Sequence, residues 1–241
     1  MESTDCTGAN FVALVARRSG EAEVGALVEG FRHTNLGQFR AARQEFTRAR
    51  QSTRQHVKLE ALLGEAEAAF AANDGDGAVR CYFEANSLDA SDGRALSGLA
   101  RVSLATGEME DALGLATDAL KREPTDASAS ISMAIAAEQL GRAEAFNAWR
   151  IAVNLAPADL AAAAGLARVS AARQNLPFAI QVFERLRGYG SALGVDFHIT
   201  LGWLLLADGR KNDAGVEARY AASIAPEHPA VAELLAALAA A

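Results

Sequence analysis

The chain has little of what would tie it together covalently. Its two cysteines, Cys6 and Cys81, stand far apart with no neighbouring cysteine. That excludes a disulfide framework and a cysteine-built zinc site, and it points to a reducing, cytoplasmic compartment. Aromatic residues make up only 6% of a chain that is 51% hydrophobic, so the apolar mass is chiefly alanine, leucine and valine. Such side chains suit helices that approach one another closely. Positive charge is also scarce, with 23 Lys and Arg against 30 Asp and Glu for a net charge of −7. An acidic chain is a poor generic partner for nucleic acid or an anionic membrane, so neither is expected as a ligand. No run approaches the ~20 apolar residues a spanning helix needs, and no membrane insertion is expected. Glu2 and Asp5 stand where a secretory signal carries positive charge, which argues against a leader.

Chemistry-bearing motifs are missing as well. The four histidines, His33, His56, His198 and His228, form no HExxH and no i,i+4 pair, and none adjoins a cysteine or a nucleophile elbow. Asn73-Asp74-Gly75-Asp76-Gly77 has the look of a calcium loop. Ala78 and Val79 occupy the next ligand and glycine places, however, so these residues are expected to be a turn. Gly188-x-Gly190-x-x-x-Gly194 lacks the preceding strand that gives a dinucleotide fingerprint its meaning. No catalytic residue, metal or cofactor is expected.

What the chain does have is a repeat. Alanines recur at Ala42, Ala78, Ala112, Ala145, Ala179 and Ala214, and the hexapeptide Gly98–Ser103 returns whole as Gly165–Ser170. A period near 34 residues marks stacked helix-turn-helix units. In the third unit Leu96, Leu99, Ala100 and Ser103 form one helical face. Gly107 ends that helix, Ala112, Ala116 and Ala119 mark the second, and Pro124 closes the unit.

The pattern resembles the tetratricopeptide repeat. Leu201, Gly202, Leu205, Ala214, Ala218, Ala221 and Pro226 carry it in the last unit. Leu62, Ala66, Ala69, Ala78, Tyr82 and Ala85 carry it in the second, and Leu166, Ala167, Ser170, Ala179 and Phe183 in the fifth. The resemblance implies an all-α, right-handed superhelical solenoid of about six stacked helix-turn-helix units with a C-terminal capping helix. The expected units are 23–58, 59–92, 93–126, 127–159, 160–194 and 195–228. Residues 1–22 form an N-terminal extension, with a covering helix about Phe11, Leu14 and Val15. Residues 229–241 form the C-terminal helix, and Gly188–Gly194 is the hinge.

In such a stack the first helices line a concave groove that holds partner peptides. Carried onto this sequence, that groove is Phe31, Glu67, Phe70, Arg94, Arg101, Leu104, Ile135, Glu138, Arg168, Trp203 and Leu206. Arg101 and Arg168 stand in equivalent places, so the expected partner is another protein, contributing an amphipathic or extended segment with an acidic residue.

Charge is also segregated. Residues 31–58 hold seven basic side chains and one acid, Glu45, whereas residues 60–92 hold eight acids and one base, Arg80. Adjacent units of opposite sign fix their stacking order; the alternative is a basic docking face of Arg40, Arg43, Arg50 and Arg54. The functional expectation is a non-enzymatic scaffold or adaptor, an assembly or chaperone-like factor. The alternatives are a homo-oligomer formed through the apolar C-terminal helix and an accessory subunit of an enzyme complex.

Overall fold

The computed structural model describes residues 22–189 and 193–240. The helix expected about Phe11 and the middle of the Gly188–Gly194 hinge lie outside these residues. Among the described residues there are thirteen helices and no strand. They are α1 (Ala22–Asn35), α2 (Phe39–Ala49), α3 (Gln55–Ala71), α4 (Gly75–Leu88), α5 (Arg94–Thr106), α6 (Met109–Arg122) and α7 (Ala127–Gln139). The remainder are α8 (Ala145–Leu155), α9 (Leu160–Ala172), α10 (Leu176–Arg187), α11 (Val195–Ala207), α12 (Lys211–Ile224) and α13 (Pro229–Ala240). The chain forms two compact units that divide after Met133, inside α7.

The turns inside the helix pairs are set by left-handed residues at Gly37, Asn73, Gly107, Gly141, Gln174 and Gly209. These recur at the repeat period. Asp74 then caps α4, its Oδ1 accepting from Gly77 N at 2.9 Å, so the calcium-like stretch is a turn and a cap. Asp126, Asp159 and Asn175 cap α7, α9 and α10 in the same manner, and Pro177 lies in the first turn of α10.

Each unit is built by the same rule. In the first, α1–α2, α3–α4 and α5–α6 pack as antiparallel hairpins, and α1 packs on α3 and α3 on α5. In the second, α9–α10 and α11–α12 are the hairpins, α9 packs on α11, and α13 packs on α11 and α12. The periodic alanines mark the closest approaches: Ala42, Ala78, Ala112, Ala179 and Ala214 are fully buried and Ala145 nearly so. Val231 and Leu234 bury one face of α13.

A second periodic contact carries more volume. Phe46, Tyr82 and Trp149, each four residues after the alanine, project from a second helix onto glycines of first helices. Phe46 fills the space over Gly30 and Gly64, Tyr82 that over Gly98, and Trp149 that over Gly165. A β-carbon at any of these glycines would overlap the ring, so glycine is required by close approach. This accounts for the glycine of the recurring hexapeptide.

The polar tips of these rings are used too. Tyr82 Oη donates to Glu67 Oε1 at 2.5 Å, and Arg101 Nη1 donates to Glu67 Oε1 and Oε2 at 2.8 and 3.0 Å. Trp149 Nε1 donates to Glu138 Oε2 at 2.7 Å, and Arg168 donates to Oε1 and Oε2 at 2.6 and 2.7 Å. One carboxylate thus joins the ring on its own hairpin to the arginine of the next first helix. The Arg168 guanidinium holds the Glu138 carboxyl below its ordinary value, against the effect of burial and with help from the indole N–H. Burial, reinforced by Glu67, raises the Tyr82 hydroxyl and keeps it a donor.

Two outcomes follow from these contacts. Gly98→Ala and Gly165→Ala force a methyl group into a seated ring and should each cost about 1–3 kcal/mol in urea unfolding. Gly114→Ala, in mid-helix with open space about it, should instead gain about 0.5–1 kcal/mol. Because the Glu138 carboxyl is depressed in the folded state, its stabilisation is complete above the ordinary glutamate value of 4.5 and is lost as pH falls through the lower folded value. The difference in Tm between the wild type and Glu138→Gln should therefore shrink on acidification below that value, as followed by thermal melts across pH.

Candidate binding groove

The first helices of the first unit form an open groove of ≈ 390 Å3. It exists because the packing of α1 on α3 and of α3 on α5 leaves the turns that face away from the second helices uncovered. Phe31 and Leu63 supply its apolar surface, while Gly64 and Gly98 keep its floor thin above the Phe46 and Tyr82 rings. Phe31 stands edge-on to Phe46 with centroids 5.1 Å apart, so its position is fixed from below.

Two ionic rungs cross from α3 to α5. Arg94 Nη2 donates to Glu60 Oε1 at 2.6 Å and to Asp92 Oδ2 at 2.7 Å. Glu67 and Arg101 make the second rung, two helical turns further along. The Asp92 and Glu60 hydrogen bonds raise the Arg94 guanidinium above its ordinary value, and Arg94 in turn holds Asp92 low. Arg101 also lies over the Phe70 ring, 4.9 Å from its centroid. Glu123 and Asp126 complete the lining, so four carboxylates face two guanidiniums and the groove carries a net charge of −2.

Phe31, Glu67, Arg94 and Arg101 therefore share one groove, whereas Phe70 is outside its lining and meets it only through Arg101. Leu104, half-buried on α5, is not among the groove's lining residues. In the second unit, the Glu138 carboxylate accepts from both Arg168 and Trp149. Ile135 is half-buried on α7, and Leu206 is half-buried on α11, where Trp203 is 39% exposed. The two arginines expected to meet an acidic partner are instead engaged by Glu67 and Glu138. Glu60, Glu123 and Asp126 were not anticipated. A signal for the first was present, because Glu60 precedes Arg94 and Glu67 precedes Arg101 by one repeat of 34 residues.

The basic stretch is also turned inward. Arg43 Nη1 donates to Asp74 Oδ2 at 2.8 Å, and Arg50 to Glu65 at 3.0 Å and Glu84 at 2.5 Å. Burial pulls the Arg50 guanidinium down, but those two carboxylates outweigh it and raise it. Arg54 is engaged as well, and Arg40 is exposed at the start of α2. His198, 9% exposed, bonds Glu217 at 2.8 Å, and Glu217 also accepts from Arg187 at 2.5 Å. Among the described residues no group of three or more His, Cys, Asp and Glu side chains is disposed to hold a metal. No helix among them is long and apolar enough to cross a membrane.

No known family profile matches the sequence, and no characterised protein matches it. Solved structures do. A chain of the APC/C hetero-tetramer Cut9–Hcn1 superposes with a TM-score of 0.77 at 17% identity, over 95% of this chain and 46% of that one. This chain thus spans less than half the length of that relative. PilF of Pseudomonas aeruginosa gives 0.74 at 14% identity, over 90% of this chain and 98% of its own. YrrB, described as a TPR protein with an unusual peptide-binding site, gives 0.58 at 19% identity, over 78% and 96%. At such identities the likeness is one of fold, and the fold of this chain is the all-α helical-repeat fold of a tetratricopeptide-repeat solenoid.

Proposed function

We propose that the chain is a non-enzymatic scaffold that holds a segment of another protein in the groove of α1, α3 and α5. The observation that carries this reading is the groove itself: open, apolar at Phe31 and Leu63, and lined by fixed charges. An acidic segment is the poorer fit, because Arg94 and Arg101 are already engaged and the lining is net negative. A segment pairing one or two apolar side chains with lysine or arginine suits it better. Each buried apolar side chain contributes about 1.5–3 kcal/mol, and the charges set register and reject the wrong sign. After the cost of ordering a flexible segment, micromolar affinity is the expected scale. An assembly or adaptor role in a reducing, cytoplasmic setting belongs to the same reading, supported by Cys81, a buried free thiol pushed up to about 11 by desolvation.

Self-association is a second reading. The observation in its favour lies on α12: Val216, Tyr220 and Ile224, spaced four apart, are 40%, 57% and 51% exposed. An apolar stripe of this kind is a contact surface in search of a partner.

The groove reading is tested by a photo-crosslinking side chain at Ser128, on the groove wall. It should trap a basic segment of a partner protein. Glu123→Lys with Ser128→Arg, which turns the lining from −2 to +1, should weaken a partner so identified at least ~10-fold, about 1.4 kcal/mol; unchanged affinity removes the groove from the account. For self-association, light scattering on Val216→Lys with Ile224→Lys should report half the particle mass of the wild type. Equal masses dispose of pairing through α12.

A further inference from the structure

Where second helices lie side by side, arginines bridge them in most seams. Arg43 and Arg50 reach Asp74 and Glu84 across α2 and α4, and Arg122 reaches Asn86 across α4 and α6. Arg210, at the start of α12, reaches Glu184 of α10 at 3.7 Å. The seam between α8 and α10 differs. One end is closed by Phe146 against Phe178, 6.0 Å between centroids. Beyond that contact the helices part over a cleft of ≈ 480 Å3. Leu166, Val182 and Leu186, all buried, lie at its floor, with Val153 of α8 and Pro157 just beyond that helix forming the facing wall.

Arg150 and Arg185 border this cleft, one from each helix. Both are exposed, and neither guanidinium has a partner among the described residues. Tyr189, 47% exposed, also lines the cleft. The one acid of the lining, Glu184, faces Arg210. The cleft is therefore an apolar trough rimmed by two uncommitted positive charges on a protein whose net charge is −7. Phe178 to Leu186 spans about 12 Å of helix at 1.5 Å per residue. That length matches apolar side chains at i, i+3, i+4 and i+7 of a helix lying in a groove.

We infer that the α8–α10 cleft is a second docking site, for an amphipathic helix of a partner protein that carries acidic residues beside its apolar face. The site is separate from the groove of α1, α3 and α5 and does not rest on it. Its charge preference is the opposite of that groove's, so the two select different segments.

The test uses two dye-labelled designed helical peptides with the same leucine face at i, i+3, i+4 and i+7, one flanked by glutamate and the other by lysine. Fluorescence anisotropy with the full chain at ~0.15 M salt should show the glutamate peptide binding the wild type at least ~10-fold more tightly than it binds Arg150→Glu with Arg185→Glu. Both positions are exposed, so the far-UV circular dichroism should stay unchanged. The lysine peptide, which the groove of α1, α3 and α5 can also take, should lose no affinity on the same substitution. Equal or absent binding of the glutamate peptide by the two proteins, or a loss common to both peptides, would each overturn the inference.

Discussion

The rings of Phe46, Tyr82 and Trp149 occupy the space where a neighbouring first helix would carry β-carbons, and the register of successive hairpins depends on that contact. A glycine on the facing helix lets the backbone come within van der Waals reach of the ring. The alanines four residues earlier let the two helices of a hairpin close up beside it. Small residues alone would permit many sliding arrangements, because an alanine-rich surface is nearly featureless. A large ring in a glycine-sized seat permits one, since interiors are packed to crystal density and a displaced ring has nowhere else to go. Where the aromatic is absent, as at Ala116 in the third hairpin, alanine maintains close approach without this keying.

The glutamate–arginine pairs refine the same contact. In water-exposed surroundings such a pair contributes ~0–1 kcal/mol, too little to hold helices together. Attached to a seated ring through Tyr82 Oη or Trp149 Nε1, the carboxylate is already in place when the arginine arrives, so less side-chain entropy is lost in forming the bond. Its effect is on specificity of stacking, and it changes what the groove can bind. An arginine engaged by its neighbour has few donors left for a ligand, whereas Glu123 has no such partner among the described residues. In the protein's second unit Arg150 and Arg185, which have no partner among the described residues, border the α8–α10 cleft.

The repeat, the helical hairpins, the buried alanines and the turn and cap at Asn73–Asp74 were all legible in the sequence, because each rests on residues close in the chain or spaced at a fixed period. The groove was legible by position: Phe31, Glu67, Arg94 and Arg101 do share a cavity. Its charge character was not legible from Arg101 and Arg168 alone, because their partners Glu67 and Glu138 stand 34 and 30 residues earlier in the chain. The opposite-charge pairs Glu60/Arg94 and Glu67/Arg101, each 34 residues apart, were the available clue.

By itself the sequence determined the fold, since a period near 34 residues with small residues at every close approach permits little besides stacked helical pairs. It also determined where four of the six hairpins turn, through left-handed glycines, while Asn73 and Gln174 take that place in the other two. Only the tertiary structure decided which charges are spent and which are free. The sign of a surface depends on side-chain pairs whose ends meet across helices, within the ~4 Å over which an ion pair forms, and separation along the chain does not report that distance. For the same reason the hexapeptide shared by residues 98–103 and 165–170 was visible as a repeat, while its work of seating a ring with the glycine and tying off a glutamate with the arginine appeared only once the helices were packed.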